Sequence, residues 1–164
     1  MNKYNYDTVN LVTKDPNSRR GGLLVNAIIS ITSLILISIG ILHVFWAFGG
    51  KWGVNMVLPT KDDSQLPVLK PRMAGTLFIG LLCFFASVLL LVQADLITII
   101  KISPLSKWLC IAGGTVFLLR AIGDGRYVGF FKKIKHTRFA KQDTALYSPI
   151  CVWISLSFFL ASFV

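Results

Sequence analysis

Ionisable side chains are scarce in the apolar parts of this 164-residue sequence, and the few that occur could transfer protons or bind a charged group. His43 lies near the end of the first apolar run, Arg120 and Asp124 lie in the third, and Asp143 and Tyr147 lie at the start of the fourth. Imidazole titrates near neutral pH and can act as a general base. Guanidinium presents five donors that suit phosphate or carboxylate. These residue types therefore indicate acid–base chemistry or anion recognition.

Arg120 lies deep in its apolar run, where an unpaired cation is costly. Asp124 follows four residues later, so on a helix the two side chains share one face and are predicted to pair. Two interpretations remain open. The pair either only stabilises the third helix, or Arg120 keeps free donors after binding one carboxylate, and these point into a cavity toward an anion.

His43 also has two interpretations. It either packs with its ring bonded to a nearby Asp, Ser or backbone carbonyl, or acts as a general base oriented by Asp124 or Asp143. A single His without a second His or Cys nearby makes a poor zinc site, so neither a metal nor a cofactor is expected. The cysteines sit in different apolar runs without a C-x-x-C pair and are interpreted as packing residues.

Four apolar runs must position these side chains. Hydrophobic residues make up 54% of the chain and charged residues only 15%. Each run approaches the roughly 20 residues that a membrane-spanning helix needs, and none alternates as barrel strands do. We predict an all-α membrane protein, an up-and-down bundle of four transmembrane helices in one domain, 23–164, after a polar mobile tail, 1–22. The helices are expected at about 23–48, 73–93, 107–127 and 146–164.

The fourth helix is predicted to open with Ser148 as N-cap and Pro149 at its first position. That start leaves only about 24 Å of helix before the chain end. Either the bilayer thins around this helix, or the 143–147 turn also inserts.

An up-and-down bundle brings loops 49–72 and 128–145 to one membrane face, together with nearly all the unusual polar residues. Indole side chains prefer the head-group zone, which places Trp46 and Trp52 at the same level. The predicted ligand-binding set, with His43 as the only catalytic candidate, is His43, Trp46, Trp52, Arg120, Asp124, Arg126, Asp143 and Tyr147.

The net charge of +10 comes from Lys and Arg that flank the apolar runs. Basic and aromatic residues are interleaved in 125–141. This pattern is typical of a membrane interface, where cations meet anionic lipid. We therefore expect a lipid bilayer with anionic head groups as the partner, and no nucleic acid. A homo-oligomer or a membrane-protein partner stays possible. The greater number of basic residues in loops 49–72 and 128–145 favours a cytoplasmic position for them in the cell membrane, although Arg19 and Arg20 argue for the opposite orientation.

Four strings occur in order along the chain: HVFWAFGGKWG at 43–53, LRAIGDGRYVGFFK at 119–132, TRFA at 137–140 and YSP at 147–149. They resemble a family of small bacterial four-helix membrane proteins of unknown function, over roughly residue 41 to the C-terminus. The resemblance implies the four-span architecture and places the predicted ligand-binding set within the family pattern. It implies no activity.

Three functions are compatible with these observations. The first is binding of an anionic lipid head group or amphiphile by the His/Arg/Asp cluster. The second is an accessory subunit that stabilises a membrane complex. The third is a membrane-embedded enzyme with His43 as general base and Arg120 stabilising developing negative charge.

Overall fold

The computed structural model describes residues 16–59 and 71–163. In these ranges the regular structure is helical, and four helices are long and apolar enough to cross a membrane, as predicted. The elements are α1 (Pro16–Ala47), the short α2 (Val54–Val57), α3 (Met73–Gln93), α4 (Pro104–Ile122), α5 (Arg138–Gln142), a π-helical turn (Asp143–Tyr147) and α6 (Ser148–Ser162). The last three run on without a break as one helix, Arg138–Ser162.

The surface of these helices is largely apolar. In each of the four helices, at most 33% of an 18-residue apolar window is buried inside the molecule. Most side chains in these windows therefore keep exposed surface. A water-soluble monomer rarely exposes so large a continuous apolar surface. The arrangement instead suits helices whose backbone polar groups are bonded internally and whose side chains meet lipid.

Helix ends differ from the predicted ones in α1, in α4 and in the fourth helix. Residues 16–22, predicted as part of the tail, belong to α1, and residues 1–15 lie outside the described ranges. Helix α4 begins at Pro104, because Ser103 and Ser106 form a reciprocal capping box. It ends at Ile122 rather than at 127, because Gly123 adopts a φ of 92° that a helix does not accommodate.

The start of the fourth helix corrects a prediction. Its N-cap is Thr137, whose side chain accepts from the Ala140 N–H, and Ser148 lies inside the helix rather than capping it. A proline ring clashes with the carbonyl four residues earlier. The π turn before Pro149 widens the helix at this point, because the Ser148 N–H donates to the Asp143 carbonyl five residues back. The resulting 25-residue helix includes the 143–147 turn and is therefore longer than the predicted one.

The helices associate as two pairs, α1 with α3 and α4 with α6. Small residues permit close approach in both. Gly80 lies against the Gly40 carbonyl, and Gly113 lies under the Phe158 ring. Because lipid supplies no hydrophobic drive between helices, such close backbone contact is a main source of their association.

Fewer contacts join the two pairs. Near the middle of the helices, Thr32 Oγ1 and Ser157 Oγ are 2.8 Å apart, and Trp153 Nε1 donates to Thr32 Oγ1 at 2.9 Å. Helix α2 packs on α5, so the described part of the first loop and the start of the fourth helix lie at the same end of the molecule. The fold thus gathers the described part of the first loop and the third loop at one end.

Candidate functional site

The candidate site is built around Asp143, whose side chain is fully buried. Its Oδ1 accepts from Arg120 Nη2 at 2.9 Å. Its Oδ2 accepts from Lys132 Nζ at 2.9 Å and from the Gly129 N–H at 2.7 Å. One carboxylate therefore joins α4, the loop after it and the fourth helix, and a buried charge is tolerated because every bond it makes is to a cation or an N–H donor.

Lys132 is the residue that the sequence analysis missed. Lys132 lies in the basic segment 125–141 that the sequence predicts to be interfacial, yet it is only 2% exposed. Its ammonium group has three donors, and these meet Asp143 Oδ2, the Gly129 carbonyl at 2.8 Å and Thr144 Oγ1 at 2.7 Å. No sequence signal separates Lys132 from its neighbour Lys133, which is exposed.

The loop that delivers Lys132 is held closed by glycines. Gly123 and Gly129 have φ values of 92° and 85°, in the region that favours glycine. A Cβ on Gly123 would overlap the Val128 carbonyl, and one on Gly129 would overlap the Ile122 carbonyl. The backbone of this loop therefore packs directly against itself, and its path determines where Lys132 enters.

Asp124 fastens the outer turn of the same loop. Its Oδ1 accepts from the backbone N–H groups of Arg126 at 2.8 Å, Tyr127 at 2.7 Å and Val128 at 2.9 Å. Desolvation by burial raises the pKa of Asp124, but the hydrogen bonds from Val128, Arg126 and Tyr127 outweigh it and lower the pKa below its usual value. The carboxylate stabilises a turn on the exposed surface.

The predicted pairing of Arg120 with Asp124 is wrong. It required a helix continuing to residue 127, which would have put both side chains on one face. The helix ends at Ile122, Gly123 turns the chain, and Asp124 bonds to the loop backbone instead. The counter-ion of Arg120 is Asp143, which is 23 residues away.

Arg120 is the least satisfied member of the cluster. Its Nη2 bonds to Asp143, whereas its Nη1 is buried without a hydrogen-bond partner. The side chain as a whole remains 35% exposed. The described part of the chain contains one other buried polar side-chain atom without a partner, Ser148 Oγ.

His43 belongs to the other helix pair. Its Nδ1 bonds to the Ile39 carbonyl at 2.8 Å, and its ring meets Trp46 edge-on at 5.5 Å between centroids. This bond to a backbone carbonyl is the one that the packing interpretation expects, and among the described residues no hydrogen bond joins His43 to Asp124 or Asp143. Trp46 Nε1 donates to the Trp52 carbonyl at 2.8 Å, which ties the end of α1 to the first loop.

Arg126 and Tyr147 lie around the cluster without entering it. The Arg126 guanidinium stacks over the Tyr127 ring at 5.3 Å and borders an open depression that is lined also by Asp124, Gly125, Lys133 and Ile134. The Tyr147 hydroxyl donates to the Met56 carbonyl at 3.4 Å. Tyr147 therefore connects the fourth helix to α2.

The structure thus divides the eight predicted residues into separate groups. Arg120 and Asp143 meet, together with Lys132. His43, Trp46 and Trp52 form a second group on the α1 and α3 pair. Asp124 and Arg126 occupy the loop surface, and Tyr147 contacts α2. Within the described ranges, no three His, Cys, Asp or Glu side chains are grouped so that they could hold a metal ion.

Comparison with known proteins identifies one family. The family described as "Protein of unknown function (DUF3995)" matches residues 36–158, about three quarters of the chain, and the chain belongs to this family. No curated protein and no solved structure matches it. The matched range contains the whole cluster, from Arg120 to Thr144.

Proposed function

We propose that this DUF3995 protein is a multi-pass protein of the cell membrane that binds the anionic head group of a membrane amphiphile at Arg120. The proposal rests on one observation, the imbalance of charge and donors in the cluster around Asp143. Two cations face one carboxylate there, and Arg120 keeps a buried nitrogen without an acceptor.

Lys132 makes Arg120 available for a ligand. Its three bonds use every donor of the ammonium group and supply Asp143 with a fully enclosed counter-ion. Asp143 would therefore keep a cation even if Arg120 turned toward another anion. Arg120 holds the surplus positive charge of the cluster, and an oxyanion would supply both a counter-charge and an acceptor for its free N–H groups.

The surroundings of Arg120 favour a lipid-anchored anion. The same end of the molecule carries a set of exposed cations, namely Arg126, Lys133, Lys135, Arg138 and Lys141. Basic residues near a membrane surface attract anionic head groups by about 1 kcal/mol each. Their field would concentrate an anionic amphiphile beside Arg120. The same cations favour a cytoplasmic position for this end.

The other members of the predicted set would shape the entrance to this site. Trp52 is 74% exposed, as suits an indole in the head-group zone. The Trp46 indole N–H donates to the backbone carbonyl of Trp52 and holds this residue in place. Tyr147 fixes α2 beside the cluster. In this proposal His43 packs the neighbouring helix pair, while Asp124 holds the loop and Arg126 attracts the ligand.

Native mass spectrometry with added lipid tests the proposal. The purified protein is titrated with phosphatidylglycerol and with zwitterionic phosphatidylcholine. We expect preferential retention of phosphatidylglycerol, and a loss of about 10- to 100-fold in its affinity in Arg120→Gln, because a hydrogen bond to a charged group contributes about 1.5–3 kcal/mol. This variant keeps the Lys132 to Asp143 ion pair and should remain folded, which circular dichroism checks.

Lys135→Gln is the matched control. It removes one positive charge from an exposed side chain at the same end of the molecule. Its affinity for phosphatidylglycerol should fall by about fivefold at most, because one exposed cation near a membrane surface contributes about 1 kcal/mol and salt weakens that attraction. Equal losses in Arg120→Gln and Lys135→Gln would mean that binding is unspecific attraction to a basic surface. Equal retention of the two lipids by the wild type would also overturn the proposal.

A further inference from the structure

Two buried serines on one face of the fourth helix differ in their hydrogen bonding. Ser155 Oγ donates to the Gly114 carbonyl at 2.8 Å. Ser148 lies seven residues earlier, two helical turns away, and is fully buried. Its Oγ has no hydrogen-bond partner. A hydroxyl enclosed without a partner is destabilising, and most buried hydroxyls are satisfied.

The helix register locates Ser148 beside Arg120. Helix α4 and the fourth helix are antiparallel, and Ser155 meets Gly114. Seven residues back on one helix and seven forward on the other put Ser148 level with Ala121, the residue after Arg120. Ala121 is 1% exposed, in agreement with a close approach at this level.

The two residues that carry the unpartnered buried atoms of the described chain therefore lie near one level, where the end of α4 meets the fourth helix. Arg120 Nη1 is a donor, and the Ser148 hydroxyl can donate or accept. Asp143, the carboxylate of this region, is already bonded to Arg120, Lys132 and Gly129. Neither atom has a hydrogen-bond partner in the described chain, so an oxyanion from outside could accept from both.

We infer that Ser148 is a ligand-binding residue, and that its hydroxyl and Arg120 Nη1 donate to oxygens of one phosphate group. The inference rests on the proposed function and specifies it. A phosphate presents several acceptor oxygens to the two donors and carries the negative charge that the cluster lacks. The exposed part of Arg120 offers the approach, and a small movement of its guanidinium would admit an oxygen to Ser148.

The test compares Ser148→Ala with Ser155→Ala in the full-length protein. For Ser148→Ala we expect about tenfold weaker binding of phosphatidylglycerol, the effect of one lost hydrogen bond to a charged group. We expect no loss of melting temperature without lipid, because no internal bond is broken. For Ser155→Ala we expect the opposite, an unchanged lipid affinity and a lower melting temperature, since the Gly114 carbonyl loses its donor.

Competition with inorganic phosphate identifies the source of the phosphate. Displacement of the lipid by millimolar phosphate from the wild type, and less effectively from Ser148→Ala, would support recognition of the phosphate group alone. Continued retention of the lipid would support a head group that its acyl chains hold in place.

The outcomes separate this inference from the proposed function. Full lipid affinity in Ser148→Ala, with a loss in Arg120→Gln, would overturn the role of Ser148 and leave the function of Arg120 standing. Full affinity in both variants would overturn both. A lower melting temperature in lipid-free Ser148→Ala would mean that the hydroxyl has an internal structural partner, and it too would overturn the inference.

Discussion

Lys132 Nζ lies 2.9 Å from Asp143 Oδ2, and both side chains are shielded from solvent. The pair fixes a loop to the fourth helix 11 residues later in the sequence. A lysine in a strongly basic segment therefore serves as an internal counter-ion. Most of the other basic side chains of the segment 126–141 are exposed on the surface, unlike Lys132.

Loss of this ion pair should be costly. Lys132→Met leaves a buried carboxylate with Arg120 as its single cation, and breaking a buried pair on one side costs about 3–5 kcal/mol. Because Arg120 remains, we expect about 3 kcal/mol, measured as the shift of the unfolding midpoint in mixed micelles. Lys133→Met, at the exposed neighbouring position, should change stability by about 0.5 kcal/mol or less. Similar effects of the two substitutions would contradict the buried position of Lys132.

Gly129 should tolerate no side chain. Gly129→Ala adds a Cβ at a φ of 85° and against the Ile122 carbonyl, so backbone strain and overlap combine. We expect a loss of about 3 kcal/mol or more in unfolding free energy. Gly125→Ala is the control, since Gly125 has a φ of 70° and open space around its Cβ position. It should cost only the strain, about 1–2 kcal/mol.

Asp124 should make the loop sensitive to acid. Its pKa is lowered in the folded protein, so its contribution to stability is complete above the unfolded pKa of about 3.9. That contribution disappears as the pH falls through the lower folded pKa. Melting temperatures measured at pH 7 and near pH 3 should therefore fall more steeply in the wild type than in Asp124→Asn, which cannot ionise. Parallel pH profiles of the two proteins would show that the carboxylate charge does not stabilise the turn.

Gly80 should be essential for the packing of α1 on α3. A Cβ there would lie 3.1 Å from the Gly40 carbonyl and 3.2 Å from His43 Cβ, so Gly80→Leu must separate the two helices. Overpacking of this kind costs about 1–3 kcal/mol. Gly75→Leu, on the same helix but with nothing within 4 Å of its Cβ position, should leave the melting temperature unchanged. A thermal melt of both variants in one detergent decides the comparison.

The four spans and their loops could be predicted because the relevant signal is local. Long apolar runs identify helices in lipid whatever their neighbours are, and the helix bounds were in error mainly where a cap intervened. Gly123 ended α4 early, and Thr137 started the fourth helix before Ser148. The apolar run continues past Gly123 and so hid the end of α4, whereas Ser148 and Pro149 have the residue pattern of a helix start although they lie inside the fourth helix.

The sequence also pointed to Arg120 and Asp143 as unusual residues, since charged side chains in apolar runs are costly without partners. It did not reveal their pairing. Asp124 at the i+4 position and Asp143 on another helix were both available, and spacing favoured the nearer one. The helix end at Ile122 removed the geometry on which that choice depended.

The sequence by itself therefore determined an all-helical chain with four long apolar helices, because hydrophobicity accumulates along the chain and needs no tertiary partner. Tertiary structure alone decided which charges meet. The glycine-closed loop between α4 and the fourth helix carries Lys132 inward and leaves Lys133 outside, although the two have the same chemistry. The distance between two charges depends on the path of the backbone between them, and that path results from close contacts far from either charge.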